Sequence, residues 1–141
     1  MTKPTPWTTP FVSSVNRMVD FELDGRQVCL SPRRPGADWY RVLVDGVPVP
    51  MEVTRTSTHT GNLGTTTREI QAARPAEWIQ IEGEPCEPSI WRSRTASIHF
   101  SLPTAYVYNT AVWHSQSVRL TFAEDFSHVT VIWDDSVDDA T

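Results

Sequence analysis

The chain has 141 residues, 39% of them hydrophobic, and a formal net charge of −5, values typical of one folded domain and too apolar for wholesale disorder. Its 12 lysines and arginines are scattered, whereas nucleic-acid binding needs positive charge concentrated on one face, so no nucleic-acid partner is expected. No apolar stretch approaches the roughly 20 residues of a membrane span, and the N-terminus lacks the apolar part of a secretory signal. We therefore expect a cytoplasmic protein without membrane contact, or a virion component.

The first nineteen residues predict an extended arm followed by a short helix. Residues 1–9 are rich in threonine and proline and carry Trp7, which would pack on its own domain or on a neighbouring protein. Over residues 10–19 the apolar side chains follow helical spacing, and Pro10 suits a first helical turn. Thr66 and Glu69 resemble a capping box, which predicts a second short helix over residues 67–74, with a strand as the competing interpretation.

Between these segments the pattern is that of strands joined by tight turns. Asp24-Gly25 and Asp45-Gly46 each separate two apolar, alternating runs, and this is a strong hairpin signal. The run 47–53 contains Pro48 and Pro50, which predicts an edge strand because proline cannot donate to a β-ladder. Residues 54–66 are polar and predict a long mobile loop. Residues 78–82 predict a strand, and residues 83–88 a turn region.

The C-terminal third shows the clearest alternation. Apolar side chains recur at every second position over residues 96–102, 118–122 and 129–133, as in antiparallel strands with one buried face. Residues 105–114 predict one long central strand, and residues 134–141 an acidic, solvated tail. The sequence therefore predicts an all-β fold, mainly an antiparallel sandwich, jelly roll or small barrel, with one or two short helical segments and a single β domain over residues 10–133.

No residue pattern predicts a catalytic or metal site. The four histidines do not show the spacing of a metal site, and alternation places His99 on a solvent-facing side. Two distant cysteines, Cys29 and Cys86, are expected to be thiols rather than a disulfide. No nucleophile motif or phosphate-binding loop is present, so we expect no catalytic residue, no metal and no cofactor. An enzyme stays open as an alternative because a single buried carboxylate leaves no sequence signature.

Aromatic residues supply the candidate binding surface. By alternation Tyr106, Tyr108 and His114 share one face of the predicted central strand, and rings with polar tips suit a contact surface or the lining of a pocket. Tryptophan is frequent for this length and dominates binding hot spots. The candidate binding residues are Trp7, Trp39, Tyr106, Tyr108 and His114.

Three functions follow as hypotheses. The first is a non-enzymatic β-sandwich that acts through protein–protein contact, with another protein or with itself, as a structural or accessory subunit of a larger assembly such as a phage particle. The second is a small β-barrel enzyme or carrier that holds an apolar small molecule near Tyr106, Tyr108, His99 and His114. The third is a carbohydrate-binding module with exposed tryptophan.

Overall fold

The computed structural model describes residues 11–139 except 13–17, 36, 62, 93, 103–104 and 108–109. For residues 11–12, 86–88, 90–92, 101, 105–107 and 110–111 it describes the backbone alone. The first sheet contains β1 (Phe11–Val12), β2 (Val19–Leu23), β3 (Arg26–Pro32), β4 (Trp39–Val44), β5 (Val47–Pro48) and β8 (Ile79–Gln80). The second sheet contains β6 (Met51–Thr60), β7 (Thr66–Ala76), β9 (Glu84–Arg92), β10 (Thr95–Ser101), β11 (Ala105–Val107), β12 (Thr110–Phe122) and β13 (Val129–Asp138).

Strand order follows the chain closely in the first sheet and less so in the second. In the first sheet β1 to β4 are sequential neighbours, and the far side of β4 is shared between β5 and β8. The second sheet has the order β7-β6-β13-β12-β10-β9, with β11 beside β12. The β6–β13 pair is parallel, and the other strand pairs in the described part of the chain are antiparallel. Because β6 and β13 are central, the hairpin β6–β7 is held along its whole length by the rest of the sheet.

The two sheets share one hydrophobic core. Val28, Leu30 and Val42 of the first sheet belong to the same buried cluster as Ile98 and Leu120 of the second. These residues alternate with exposed ones, so each sheet turns one apolar face inward. The all-β prediction is confirmed in the described part of the chain, as are the predicted inward faces of β10, β12 and β13.

Both Asp-Gly turns are confirmed. Asp24 and Gly25 have φ values of 51° and 75°, and Asp45 and Gly46 have φ values of 50° and 81°. Positive φ at both central residues is the geometry that joins two antiparallel strands with the correct twist, and aspartate and glycine tolerate it best. Asp45 also accepts a hydrogen bond from the backbone N–H of Gln27 at 2.9 Å, which ties the second turn to the first hairpin.

The loop predicted over residues 54–66 and the helix predicted over 67–74 are both wrong, and the competing strand interpretation of residues 67–74 is confirmed. β6 continues to Thr60 and β7 begins at Thr66, so the connection is residues 61–65 and His59 lies on a strand. The capping-box pattern is a local preference, and pairing of β7 with β6 along its length overrides it. Most of the helix predicted over residues 10–19 lies outside the described residues. Of the part that is described, residues 11–12 and 19 lie in strands β1 and β2, and Met18 lies in neither a helix nor a strand.

Two further boundaries differ from the sequence prediction. The run 47–53 is not one strand, because Val47–Pro48 closes the first sheet while Met51 begins a central strand of the second. Pro48 is nevertheless at a sheet edge, and the Pro50 carbonyl accepts a bond from the N–H of Val129 at 3.0 Å. The predicted turn region 83–88 is instead the first half of β9.

The predicted central strand 105–114 is a hairpin, since β11 pairs back on β12 with Val107 opposite Thr110. Tyr106 and His114 therefore do not share one strand. The predicted acidic tail is also shorter than expected, because residues 134–138 continue β13 between β6 and β12. The predicted arm over residues 1–9 lies outside the described residues.

Neither sheet closes into a barrel, and the space between them is filled by buried side chains. Among the described residues no helix is long and apolar enough to cross a membrane.

Candidate functional site

The edge strand β7 is exposed along almost its whole length. Every one of its residues from Thr66 to Pro75 is exposed, and only Ala76 is partly buried. Ile70, near its middle, is 64% exposed, and Leu63 in the preceding loop is 94% exposed. A sheet edge presents unpaired backbone donors and acceptors, and an exposed edge with an apolar side chain is a ready template for another strand.

The turn between β6 and β7 fixes which backbone groups of β7 face outward. The N–H of Gly61 donates to the carbonyl of Thr65 at 2.9 Å, and the N–H of Gly64 donates to the carbonyl of Gly61 at 3.0 Å. Gly64 has a φ of 74°, as a three-residue hairpin loop requires at its last position. Gly61 and Thr65 therefore form the first hydrogen-bonded pair of the hairpin.

Bonded and non-bonded pairs alternate along an antiparallel ladder. With Gly61–Thr65 bonded, the bonded pairs that follow are His59–Thr67, Ser57–Glu69 and Arg55–Gln71. Thr66, Arg68 and Ile70 occupy the intervening positions. Their backbone N–H and C=O groups consequently turn away from β6, toward the open edge.

The sheet edges formed by β9 and by β5 and β8 are protected in ways that the first half of β7 is not. The opposite edge of the second sheet is β9, whose sequence includes Pro85 and Pro88. In the first sheet β5 and β8 are two residues long, and β5 ends in Pro48. Proline and short length are the usual devices against unwanted pairing. Residues 66–74 contain no proline, so this edge is open to a partner strand.

A second surface is a cleft where β4 and β8 of the first sheet meet β6, β7 and β13 of the second. We call it the tryptophan cleft, and its volume is about 190 Å³. Its aromatic walls are Trp39, Trp78 and Trp133, of which Trp39 is 42% exposed and Trp133 is buried. Its polar lining consists of Arg55, Arg74, Gln71 and Gln80.

Arginines surround the indole rings of this cleft. The guanidinium carbon of Arg55 lies 4.4 Å from the centre of the Trp133 ring. The corresponding distances from Arg33 and Arg41 to the Trp78 ring are 5.5 Å and 4.9 Å. Cations at these distances are attracted by the ring faces, which holds the arginine side chains and the rings in place. A protein with a net negative charge thus has a local concentration of cations here.

His114 belongs to a different cluster, on β12 and β13. Its Nε2 contacts Oδ1 of Asp135, which also accepts a bond from the Gln116 amide at 3.4 Å. The Gln116 carbonyl in turn accepts the backbone N–H of Glu82 at 2.6 Å. These contacts satisfy buried and half-buried polar groups at the end of the core. Within the described residues no group of three or more His, Cys, Asp or Glu side chains is placed to hold a metal ion.

Cys29, whose side chain the structure describes, is poorly suited to nucleophilic chemistry. Cys29 is a free, buried cysteine on β3. Burial, together with the charge of Asp20 across the β2–β3 ladder, raises its pKa to about 12. A thiol must ionise to attack, so Cys29 is inert near neutral pH.

The structure separates the residues predicted from the sequence. Trp39 lines the tryptophan cleft and His114 joins the Asp135 cluster. Tyr106 is in β11, but its side chain lies outside the described part, as do Trp7 and Tyr108. Sequence reasoning missed Ile70 and Arg55, because it read their segments as a helix and a loop. The competing strand interpretation of residues 67–74, which the structure confirms, is the one that places Ile70 on a strand.

No family model, curated protein or solved structure matches this chain. Its function is therefore inferred from the two surfaces alone.

Proposed function

We propose that this protein acts through protein–protein contact, as a non-enzymatic subunit of a larger assembly, and that two copies pair along their β7 edges. The observation that carries the proposal is the exposure of β7 from Thr66 to Pro75, with Ile70 at its centre. Antiparallel pairing of two such edges forms main-chain hydrogen bonds and buries the Ile70 side chains. Edge-to-edge pairing is a recurrent mode of recognition.

The charges of β7 favour one register. With Ile70 on the two-fold axis, Arg68 lies opposite Ala72 of the second copy and Glu69 lies opposite Gln71. With Glu69 on the axis, two glutamates oppose each other, and with Arg68 on the axis, two arginines do. Directly opposed like charges destabilise a strand pair. The register centred on Ile70 avoids both and places the outward N–H and C=O groups of Ile70 opposite those of its copy.

Two alternatives have less support. A carrier that holds a ligand inside a barrel needs interior space, and here neither sheet closes and the core is filled. A carbohydrate-binding module needs an exposed indole beside a groove. Trp113 is 57% exposed but does not line the tryptophan cleft, whereas Trp39 does line it. The cleft is consequently the place where sugar binding would be tested.

Light scattering across a dilution series tests the proposal. The wild-type chain is expected to give twice the mass of one chain at high concentration. Ile70→Pro is expected to give one chain mass, because proline removes the outward N–H while the β6–β7 ladder keeps its bonds. Leu63→Ala is the matched control, since it removes the other highly exposed apolar side chain of this hairpin and is expected to leave the mass unchanged.

A charge pair at Gln71 tests the register. Gln71→Glu places two carboxylates opposite each other across the proposed axis, and Gln71→Lys places a lysine opposite Glu69. We expect the first to weaken the dimer and the second to strengthen it. Within one chain the two substitutions are expected to act oppositely on the free energy of unfolding, because Gln71 is paired with Arg55. A glutamate at position 71 would attract this arginine, and a lysine would repel it. A wild-type chain that stays single at every concentration, or two Gln71 variants with equal dimer affinity, would contradict the proposal.

A further inference from the structure

The tryptophan cleft has a lining of cations, amides and apolar surface but no carboxylate. Its charged side chains are Arg55 and Arg74. In the part of the chain that the structure describes, neither arginine forms an ion pair with an acidic side chain. Glu69 and Asp135 line an adjoining cleft that shares Arg55, and neither forms an ion pair with Arg55.

Trp133 supplies a second observation. Its ring is 6% exposed, and its indole Nε1 is buried with no hydrogen-bond partner among the described residues. A buried N–H without an acceptor costs free energy, and such groups call for an explanation. Trp133 lies in the wall of the tryptophan cleft and of the adjoining cleft. The Nε1 atom has almost no accessible surface, so a group bound in the cleft would contact the ring of Trp133 and not this N–H.

The shape of the cleft limits the size of its occupant. A volume of about 190 Å³ is below the roughly 300–1,000 Å³ of pockets for drug-sized ligands. The walls are mostly apolar or aromatic, and Val53, Ala72, Ala76 and Ile79 line them together with the indoles. A ligand that matches this lining has one flat apolar ring, which packs against the indoles, and one anionic group, which binds the arginines.

We propose that the tryptophan cleft binds a small organic carboxylate with a single ring. The ring packs between Trp39 and Trp78, and the carboxylate takes charge-assisted hydrogen bonds from Arg74 and Arg55. Arginine suits this task because its planar guanidinium donates two parallel hydrogen bonds to a carboxylate. Gln71, Ala72 and Arg74 of the lining belong to β7, so the affinity is measured on the Ile70→Pro variant as well as on the wild-type chain.

Titration calorimetry with phenylacetate as the probe tests the site, together with quenching of tryptophan fluorescence. The uncharged isostere 2-phenylethanol is the matched ligand and is expected to bind at least about tenfold more weakly, the loss that follows from one charge-assisted hydrogen bond. Arg74→Gln and Arg55→Gln are each expected to weaken phenylacetate binding by about tenfold or more. Arg34→Gln is the control, since Arg34 is exposed and lies outside the cleft lining.

Three results would overturn the proposal. Equal affinity for phenylacetate and 2-phenylethanol would show an apolar cleft without anion recognition. Phenylacetate affinity unchanged by both arginine substitutions, with circular dichroism showing folded variants, would place the anion elsewhere. Binding of glucose or cellobiose but not of phenylacetate would assign the exposed indole of Trp39 to a sugar. Because the affinity is also measured on Ile70→Pro, which is expected to stay a single chain, failure of this site and failure of the proposed function are distinguishable.

Discussion

The ring of Tyr40 in the first sheet meets the ring of Phe100 in the second, edge to face, with centroids 5.6 Å apart at an angle of 65°. Both side chains are fully buried, so this contact links the two sheets through the middle of the core. Phe100→Ala is expected to lower the free energy of unfolding by about 3–5 kcal/mol, from lost burial and the cavity left behind. Urea unfolding measures this change. Trp113→Ala removes a larger but 57% exposed ring and should cost much less.

The second Asp-Gly turn gives a test of backbone conformation. Gly46 has a φ of 81°, and a Cβ added there would meet nothing within 4 Å, so any cost of Gly46→Ala is conformational and not steric. We expect this substitution to destabilise the fold by about 1–2 kcal/mol. Gly61→Ala is the control, because Gly61 is outside the positive-φ region and its added Cβ would make an ordinary contact of 4.0 Å with the Thr65 carbonyl oxygen. Equal unfolding midpoints for the two variants would contradict this account.

The parts of the fold that could be predicted from the sequence are those where the local residue pattern agrees with the tertiary structure. The Asp-Gly turns were predictable because the demand for positive φ is met by the turn residues themselves. The strands β10, β12 and β13 were predictable because Ile98, Leu120 and Val131 each lie on a buried face that alternates with a wet one. Period-two alternation appears only where one face of a strand is buried.

The hairpin β6–β7 does not show period-two alternation of apolar and polar residues along its length. Its outer part is polar on both faces, as in Thr58 and His59, because it extends past the region where the two sheets pack. The capping box at Thr66 and Glu69 then favoured a helix, although β7 is held by its ladder to β6. The tryptophan cleft was not predictable as a site either. Trp39, Arg55 and Trp133 come from strands distant in sequence, and only the packing of the sheets brings them together.

The buried thiol of Cys29 predicts a pH dependence of stability at the alkaline end. Its pKa is raised from 9.0 to about 12, chiefly by burial, so the folded thiol stays protonated where the unfolded one ionises. The free energy of unfolding should therefore be unaffected by this group below pH 9 and should fall as the pH rises from 9 to about 12. Denaturation of the Cys86→Ser variant over this range measures the slope. The same measurement on Cys29→Ala, Cys86→Ser should show a shallower slope, and an identical slope would refute the assignment.

Hydrogen bonds in the turn before β13 lower the pKa of an exposed carboxyl, that of Asp125. Asp125 accepts hydrogen bonds from the Ser127 hydroxyl at 2.6 Å and from the Ser127 backbone N–H at 3.1 Å. These bonds favour the ionised form and lower the pKa of Asp125. Ser127→Ala should therefore raise this pKa toward its ordinary value, as followed by NMR titration of the carboxyl carbon. Any stabilisation from these bonds is present above the ordinary pKa of aspartate and is lost as the pH falls through the lowered one.

Amide hydrogen exchange at Ile70 tests the central claim, that β7 is a contact edge. In a single chain the ladder places the N–H of Glu69 toward β6 and the N–H of Ile70 toward solvent, so the first should exchange slowly and the second fast. In the proposed dimer the Ile70 N–H bonds to the second copy. Its exchange should then slow as the protein concentration rises, while that of Glu69 changes little. An Ile70 amide that exchanges freely at every concentration would contradict the claim.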